Sequence, residues 1–239
     1  MNILAFDTCL GACSVAVGLD AGGALEKVEA LYEEMATGQA ERLMPMIDTA
    51  MRTAGIGFAD LNRIAVTTGP GTFTGTRIGI AAARAFALAT ATSIIGISTL
   101  QLMAEEAGHA LNSSRRGRPL AVTVDAHRGQ VYAQVFAAGG SPESPPQLLT
   151  IEQAAALAAE RELIFVGSGA AVVATAAKDA GHAAEAALPK LQPNAAFLLL
   201  AAQKCQPQEG PLRPLYLRPA DAKPQVGKSL ARASHDAGA

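Results

Sequence analysis

Two acids and one glycine-rich stretch are the residues best suited to chemistry. Asp7 closes the strand-like run Asn2-Ile3-Leu4-Ala5-Phe6, Gly11 follows four positions later, and Cys13 to Leu19 reads as a second strand. Asp125 repeats this arrangement after Ala121-Val122-Thr123-Val124, with Gly129 four positions on and a strand from Val131 to Phe136. Carboxylates facing each other across a cleft could hold a magnesium nucleotide complex. The alternative has each acid accepting hydrogen bonds within the turn that it begins. Between an extended run and a helix lies Gly69-Pro70-Gly71-Thr72-Phe73-Thr74-Gly75-Thr76-Arg77. Glycines admit close backbone approach and a helix N-terminus offers free amides, so Gly69, Gly71, Thr72, Gly75 and Arg77 join Asp7 and Asp125 as a candidate nucleotide or anion site. The Gly-Lys-Ser/Thr ending of a phosphate loop is missing, and the competing reading is a glycine-rich strand-to-helix turn.

Other ligand-type residues are dispersed. His109, His127, His182 and His235 contain no His-x-x-x-His pair, the spacing that brings two imidazoles to one metal, and read as surface or loop residues. No metal site is expected. Cys9 and Cys13 could form a redox or metal pair or could fill the core. With Cys205 the cysteine count is odd, which fits a reducing compartment better than a disulfide framework.

The elements that must position these residues form two similar series. After the first hairpin, closed by a turn at Gly22-Gly23, Gln39 to Ala54 reads as helix, Ile64 to Thr68 as strand, and Arg77 to Thr92 as helix. Ile94 to Ile97 is then extended and Leu100 to Ala110 helical, with Ser98 and Gln101 as a capping box. Pro45 is awkward inside the first helix, so its regular part is expected from Met44. After the second hairpin come helix Ile151 to Glu160, strand Leu163 to Val166, the turn Gly167-Ser168-Gly169, helix Ala170 to Ala180, and a helix capped by Asn194 and ending at Lys204. The repetition implies an internal duplication: two α/β lobes with a cleft between them. The boundaries expected are 1–111 for the N-terminal lobe, 112–218 for the C-terminal lobe and 219–239 for a flexible tail.

The bulk composition narrows the function classes. The 239 residues are 50% hydrophobic and 17% charged, which suits a compact globule and excludes a mainly disordered chain. No apolar run reaches the roughly 20 residues of a membrane helix, and the N-terminus lacks the pattern of a signal peptide. A cytoplasmic protein without membrane contact is expected. A net charge of -2 supplies no field that would gather nucleic acid. Any contact with RNA is therefore local or indirect; Arg115, Arg116 and Arg118, and Lys223, Lys228 and Arg232 of the tail, are the basic candidates.

Two helices carry more apolar surface than one sheet can cover. Leu43, Met44, Met46, Ile47, Ala50, Met51 and Ala54 span roughly 160° of the first helix, beyond the roughly 100° stripe of a surface helix. Ile78, Ile80, Ala82, Phe86 and Leu88 leave the next helix with hardly any polar face except Arg84. A partner face is expected over Leu43, Met46, Ile47, Ala50, Met51, Ile78, Ala82 and Phe86. The alternative is cover by the chain's own loops.

The runs GPGTFTGTRIGIAAARAFA, ILAFDTCLGACSVAV, QAERLMPMID and DAHRGQVYAQVF together resemble the TsaB (YeaZ) family over most of Met1 to Phe136, with further support from Pro214-Leu215-Tyr216-Leu217-Arg218. The resemblance implies two duplicated lobes of the actin-like ATPase class (RNase H-like, ASKHA) with a degenerate cleft and no catalytic residues. It implies a scaffold and activator that pairs with a TsaD-like threonylcarbamoyltransferase and a TsaE-like ATPase in forming threonylcarbamoyladenosine on tRNA. A homodimer is expected when the chain is alone, tRNA contact is indirect, and no cofactor is intrinsic, although ATP or ADP could sit at the partner interface. Gln39 stands where the family has a histidine. An active ATP-dependent phosphotransferase of the same fold is the alternative, and a metallopeptidase is disfavoured by the absent histidine pair.

Overall fold

The computed structural model describes residues 1–21, 24–112, 115, 117–207 and 210–218. The Gly22-Gly23 turn, Arg116 and the tail with Lys223, Lys228, Arg232 and His235 lie outside the described residues. The first sheet joins β1 (Asn2–Asp7), β2 (Ala12–Ala21), β3 (Ala24–Glu34), β4 (Arg63–Thr67) and β5 (Ser93–Ile97) in the order β3-β2-β1-β4-β5. The second joins β6 (Leu120–Asp125), β7 (Gln130–Phe136), β8 (Gln147–Thr150), β9 (Leu163–Val166) and β10 (Ala184–Ala187) in the order β10-β9-β6-β7-β8. Read from the opposite edge, the second order matches the first. In each sheet the first three strands pair antiparallel and the last two join parallel. The duplication inferred from the two hairpins is therefore present strand for strand, as two lobes of the actin-like type.

The helices occupy matching places in the two series: α1 (Gln39–Ala54) and α4 (Ile151–Ala155, continued by one 3-10 turn), α2 (Phe73–Thr90) and α5 (Ala170–Asp179), α3 (Thr99–Ala110) and α6 (Ala195–Lys204). Pro45 does not delay α1, which runs from Gln39. A proline there removes a backbone donor, but Pro45 is on the exposed side, where water can serve the carbonyl left behind. Likewise α2 starts four residues earlier than expected, because the Thr72 hydroxyl accepts from the Gly75 amide and closes its first turn.

Strand alternation explains how the lobes are joined. Leu4, Phe6, Val15, Val17, Ile64 and Val66 point to the face covered by α1 and α2. Ile3, Ala5, Ala16, Ala65, Ile95 and Ile97 point to the other face, and α6 covers them with Ala195, Leu198, Leu199, Ala201 and Ala202. The exchange is reciprocal. Leu100, Met103, Ala104 and Ala107 of α3 pack on Leu120, Val122, Val124, Ile164 and Val166 of the second sheet. Hence the packing does not divide at residue 111, as the sequence suggested. Each lobe's last helix closes the other lobe, since a central sheet with two apolar faces needs helices on both. Residues 212–215 also return to the first lobe: Leu212 enters its core, Arg84 donates to the Leu212 carbonyl, and the Leu215 amide donates to Thr68 O at 2.8 Å.

This exchange makes the first lobe depend on residues far along the chain. Leu198→Ala should lower the unfolding free energy by about 2–5 kcal/mol in urea titrations, and a chain ended before Ala195 should lose the first sheet's cooperative unfolding although it keeps all five of its strands. An unchanged midpoint for Leu198→Ala would contradict the packing described.

Candidate functional site

Asp7 stands at the carboxyl end of β1 and is fully buried. Its Oδ1 accepts from Thr67 Oγ1 at 2.5 Å and from the Cys9 amide at 3.3 Å, while Oδ2 is buried with no hydrogen-bond partner. Loss of hydration lifts its carboxyl to about 7, against the opposing pull of the hydrogen bonds from Thr67 and Cys9. Cys9 lies 3.2 Å from Thr67 Oγ1, and burial, helped by the charge of Asp7, pushes its thiol to about 12. Cys13 is also raised to about 12, by burial first and then by Asp7 and Glu33. Thiols held in the protonated form are neither redox nucleophiles nor ready metal ligands, so the core-filling reading of Cys9 and Cys13 is the one that fits.

The glycine-rich stretch is the reason for this burial. A Cβ on Gly71 would lie 2.3 Å from Cys9 O, one on Gly75 2.0 Å from Thr8 O, and one on Gly79 2.9 Å from Thr8 Oγ1. The Thr72 amide donates to Cys9 O at 2.7 Å, and Thr8 Oγ1 donates to Gly75 O at 2.7 Å. The approach that glycine permits is thus taken up by the β1–β2 turn, where the anion was expected. Gly69, at φ 94, faces Leu215 O. Arg77 does not point to an anion site either: its guanidinium lies 3.2 Å from the centroid of the Phe73 ring, which stacks on Tyr216 at 5.9 Å.

Asp125 differs from its counterpart. Its side chain is 54% exposed, accepts from the His127 amide at 2.8 Å, and lies 3.5 Å from the His127 imidazole. The Gly167-Ser168-Gly169 turn packs on Thr123 and offers Ser168 Oγ to the Asp125 amide, as the first glycine loop packs on the first turn. Both acids therefore serve the turns that they begin. Across the mouth between them runs Tyr216 to Arg218, with Arg218 donating to Ala126 O at 2.8 Å and Gln130 Oε1 at 2.9 Å. Sequence reasoning did not identify Thr8, Thr67 or Arg218 as parts of this arrangement; the only signal was the position of Thr67 at the end of a strand running parallel to β1.

An actin-like ATPase would bring magnesium and nucleotide to these turns, and the donors do not fit them. Asp7 is enclosed by the chain's own backbone, Asp125 is tied to its own turn, and among the described residues no group of three or more His, Cys, Asp or Glu could hold a metal ion.

The expected partner face is redistributed. Leu43, Met46, Ile47, Ala50 and Met51 are buried in the first lobe's core, so they are not a docking surface. Their wide arc is used because α1 meets both the β2–β3 ribbon and α2. Ile78, Ala82 and Phe86 are half-buried, with Phe86 stacked on Phe58 at 5.1 Å. What remains outside is Met44 on α1 and a face of α2 made by Ala81, Ala85, Leu88 and Ala89, where Leu88 is 88% exposed. Two residues of the basic loop are also structural: Arg115 is buried and donates to Ala137 O and Arg118 O at 2.6 Å, and Arg118 pairs with Glu162 and Glu185.

A carboxyl raised in the fold stabilises the native state only while it is protonated. The contribution of Asp7 is complete below about pH 4 and is lost as pH rises through about 7. Asp7→Asn removes this dependence, so its unfolding free energy relative to the parent chain should rise between pH 4 and pH 8, by at most about 4 kcal/mol. A difference that stays flat with pH in urea titrations would show that the carboxyl is not buried as described.

Comparison with known proteins places this geometry in a family. The model for TsaD, described as tRNA N6-adenosine threonylcarbamoyltransferase, matches residues 33–204. The Escherichia coli tRNA threonylcarbamoyladenosine biosynthesis protein TsaB is 38% identical over 132 residues, 55% of this chain and 53% of that protein, so the match spans about half of that relative's length. An uncharacterized Mycobacterium tuberculosis protein is 35% identical over 191 residues, 79% of each chain. Among solved structures, a Pseudomonas aeruginosa protein described as similar to peptidase YEAZ superposes with TM-score 0.70 at 26% identity, covering 91% of this chain and 99% of that one. YeaZ from Pseudomonas aeruginosa superposes with TM-score 0.68 at 25% identity, covering 84% and 91%. Duplicated lobes, a first turn sealed by its own glycine loop and these relatives agree: the chain belongs to the TsaB (YeaZ) family, within the group that the TsaD model describes.

Proposed function

We propose that this chain is a non-catalytic scaffold and activator in the formation of threonylcarbamoyladenosine on tRNA, paired with a TsaD-like threonylcarbamoyltransferase and assisted by a TsaE-like ATPase. The observation that carries the reading is the contrast between cleft and flank. Asp7 is shut away from any substrate, whereas α2 turns Ala81, Ala85, Leu88 and Ala89 outward beside the exposed Arg77 and Arg84. Small side chains let a second helix approach closely, and one large exposed leucine supplies apolar area to bury. Each chain would contribute α1 and α2 to a helix-bundle contact, in a homodimer when alone and in a heterodimer with the transferase. ATP or ADP would bind, if at all, where the two chains meet, and tRNA would be met through the partner. A cytoplasmic setting suits this role; among the described residues no helix is long and apolar enough to cross a membrane.

The phosphotransferase alternative requires a metal and nucleotide at Asp7 and Asp125. Calorimetry on the isolated chain should find no submillimolar, magnesium-dependent ATP binding, and such binding would revive that alternative.

The role itself is tested by reconstituting tRNA threonylcarbamoylation from purified components; omission of this chain should abolish the product, and undiminished modification without it would refute the proposal. Ala85→Asp or Leu88→Asp should weaken pairing at least about tenfold, roughly 1.4 kcal/mol or more, with an unchanged melting transition. Ile47→Asp should unfold the first lobe instead, because Ile47 is fully buried. Dimers of Ala85→Asp persisting by light scattering would move the interface elsewhere.

A further inference from the structure

None of the acids and glycines of the cleft lines the cavity of about 500 Å³ that opens where β3, α3 and the loop from β10 to α6 meet. Its walls come from both lobes: Tyr32 from the first sheet's edge, Glu106 from the helix that closes the second sheet, and Leu188, Lys190, Leu191 and Gln192 from the loop. The loop is held at several points. Leu188 O accepts from the Gly167 amide at 3.2 Å and the Leu191 amide at 3.0 Å, Gln192 Oε1 accepts from the Gly11 amide at 2.9 Å, and Ser14 Oγ donates to Pro193 O at 3.2 Å. The cavity is thus built by fixed backbone, which suits a small ligand without a large ordering cost.

Its charge selects the ligand class. Glu106 Oε2 is shielded from solvent and has no hydrogen-bond partner. Burial lifts the Glu106 carboxyl to about 7. The Tyr32 hydroxyl is raised as well, by burial first and then by the charges of Glu34, Glu106 and Asp7. A phosphate or carboxylate would be repelled there. An ammonium group beside the Glu106 carboxylate would supply the charge that its surroundings withhold. Lys190 is exposed.

We propose that this cavity binds a small organic amine, with its ammonium group on the Glu106 carboxylate and its carbon body against Leu188 and Leu191. The inference does not depend on the partner role proposed above.

The test is a titration of the full-length, isotope-labelled chain at pH 8 and constant ionic strength, followed by amide chemical shifts, with n-butylamine, 1-butanol and inorganic phosphate as probes. Butylamine should give saturating shifts at Tyr32, Glu106, Leu191 and Gln192. Binding should weaken about tenfold in Glu106→Gln, as expected for loss of a charge-assisted hydrogen bond, and should be unchanged or tighter in Lys190→Ala. Butanol should give no saturation. The proposal is overturned if butylamine shifts fail to saturate, if Glu106→Gln binds as well as the parent chain, or if phosphate saturates the same amides and Lys190→Ala abolishes that response.

Discussion

The contact on which the site depends is backbone against backbone: the glycine loop that opens α2 lies on the turn that follows β1. Gly71 and Gly75 approach the carbonyls of Cys9 and Thr8 more closely than any side-chain-bearing residue could. Paired hydrogen bonds through Thr72 and Thr8 fasten the two segments. An acid at the end of a central strand is thereby removed from solvent, and its carboxyl is held well above the ordinary range. In an open cleft the same residue would be a ready ligand for a cation. Here the fold keeps the acid and withdraws it from the cleft.

The second lobe repeats the solution with less cover. Its glycine turn also sits on the end of the central strand, at Thr123, yet Asp125 remains half in water. Closure at the mouth is left to Arg218, which reaches from a segment anchored at Thr68 to the carbonyl of Ala126. Helix exchange does the corresponding work beneath, with α3 and α6 each completing the other lobe. The two lobes are therefore joined at both the floor and the rim of the cleft.

Much of this was legible in the residues. The duplicated hairpins, the order of helices and strands, and the Asn194 and Ser98 caps follow from patterning and local capping chemistry. What escaped has a common origin. β3 was not anticipated because Glu26, Lys27, Glu29, Glu33 and Glu34 interrupt its apolar residues, a composition that suits an edge strand and hides it. Without β3 the broad apolar arc of α1 had no surface to meet, and Leu43, Ile47 and Met51 looked uncovered. Adding the strand explains it: β3 lies along α1, Arg42 pairs with Glu33, and Lys27 donates to Thr53 O at 2.9 Å at the helix's end. Short β8 and β10 were missed for want of any periodic signal. The destination of α6 could not be read locally, because an all-apolar helix does not encode which lobe it closes.

The sealed turn also fixes what the protein shows to its surroundings. Gly75 and Gly79 lie one helical turn apart and both rest on Thr8, with Ala83 buried one turn further on, so the roll of α2 is set by that stripe. Residues about half a turn away must then face out, and these include Arg77, Ala81, Arg84, Ala85 and Leu88. Larger residues at 75 or 79 would lift or rotate the helix, exposing Asp7 and turning the alanine face at once. Closure of the cleft and presentation of the outer face are thus two consequences of one contact, and neither can change without disturbing the other.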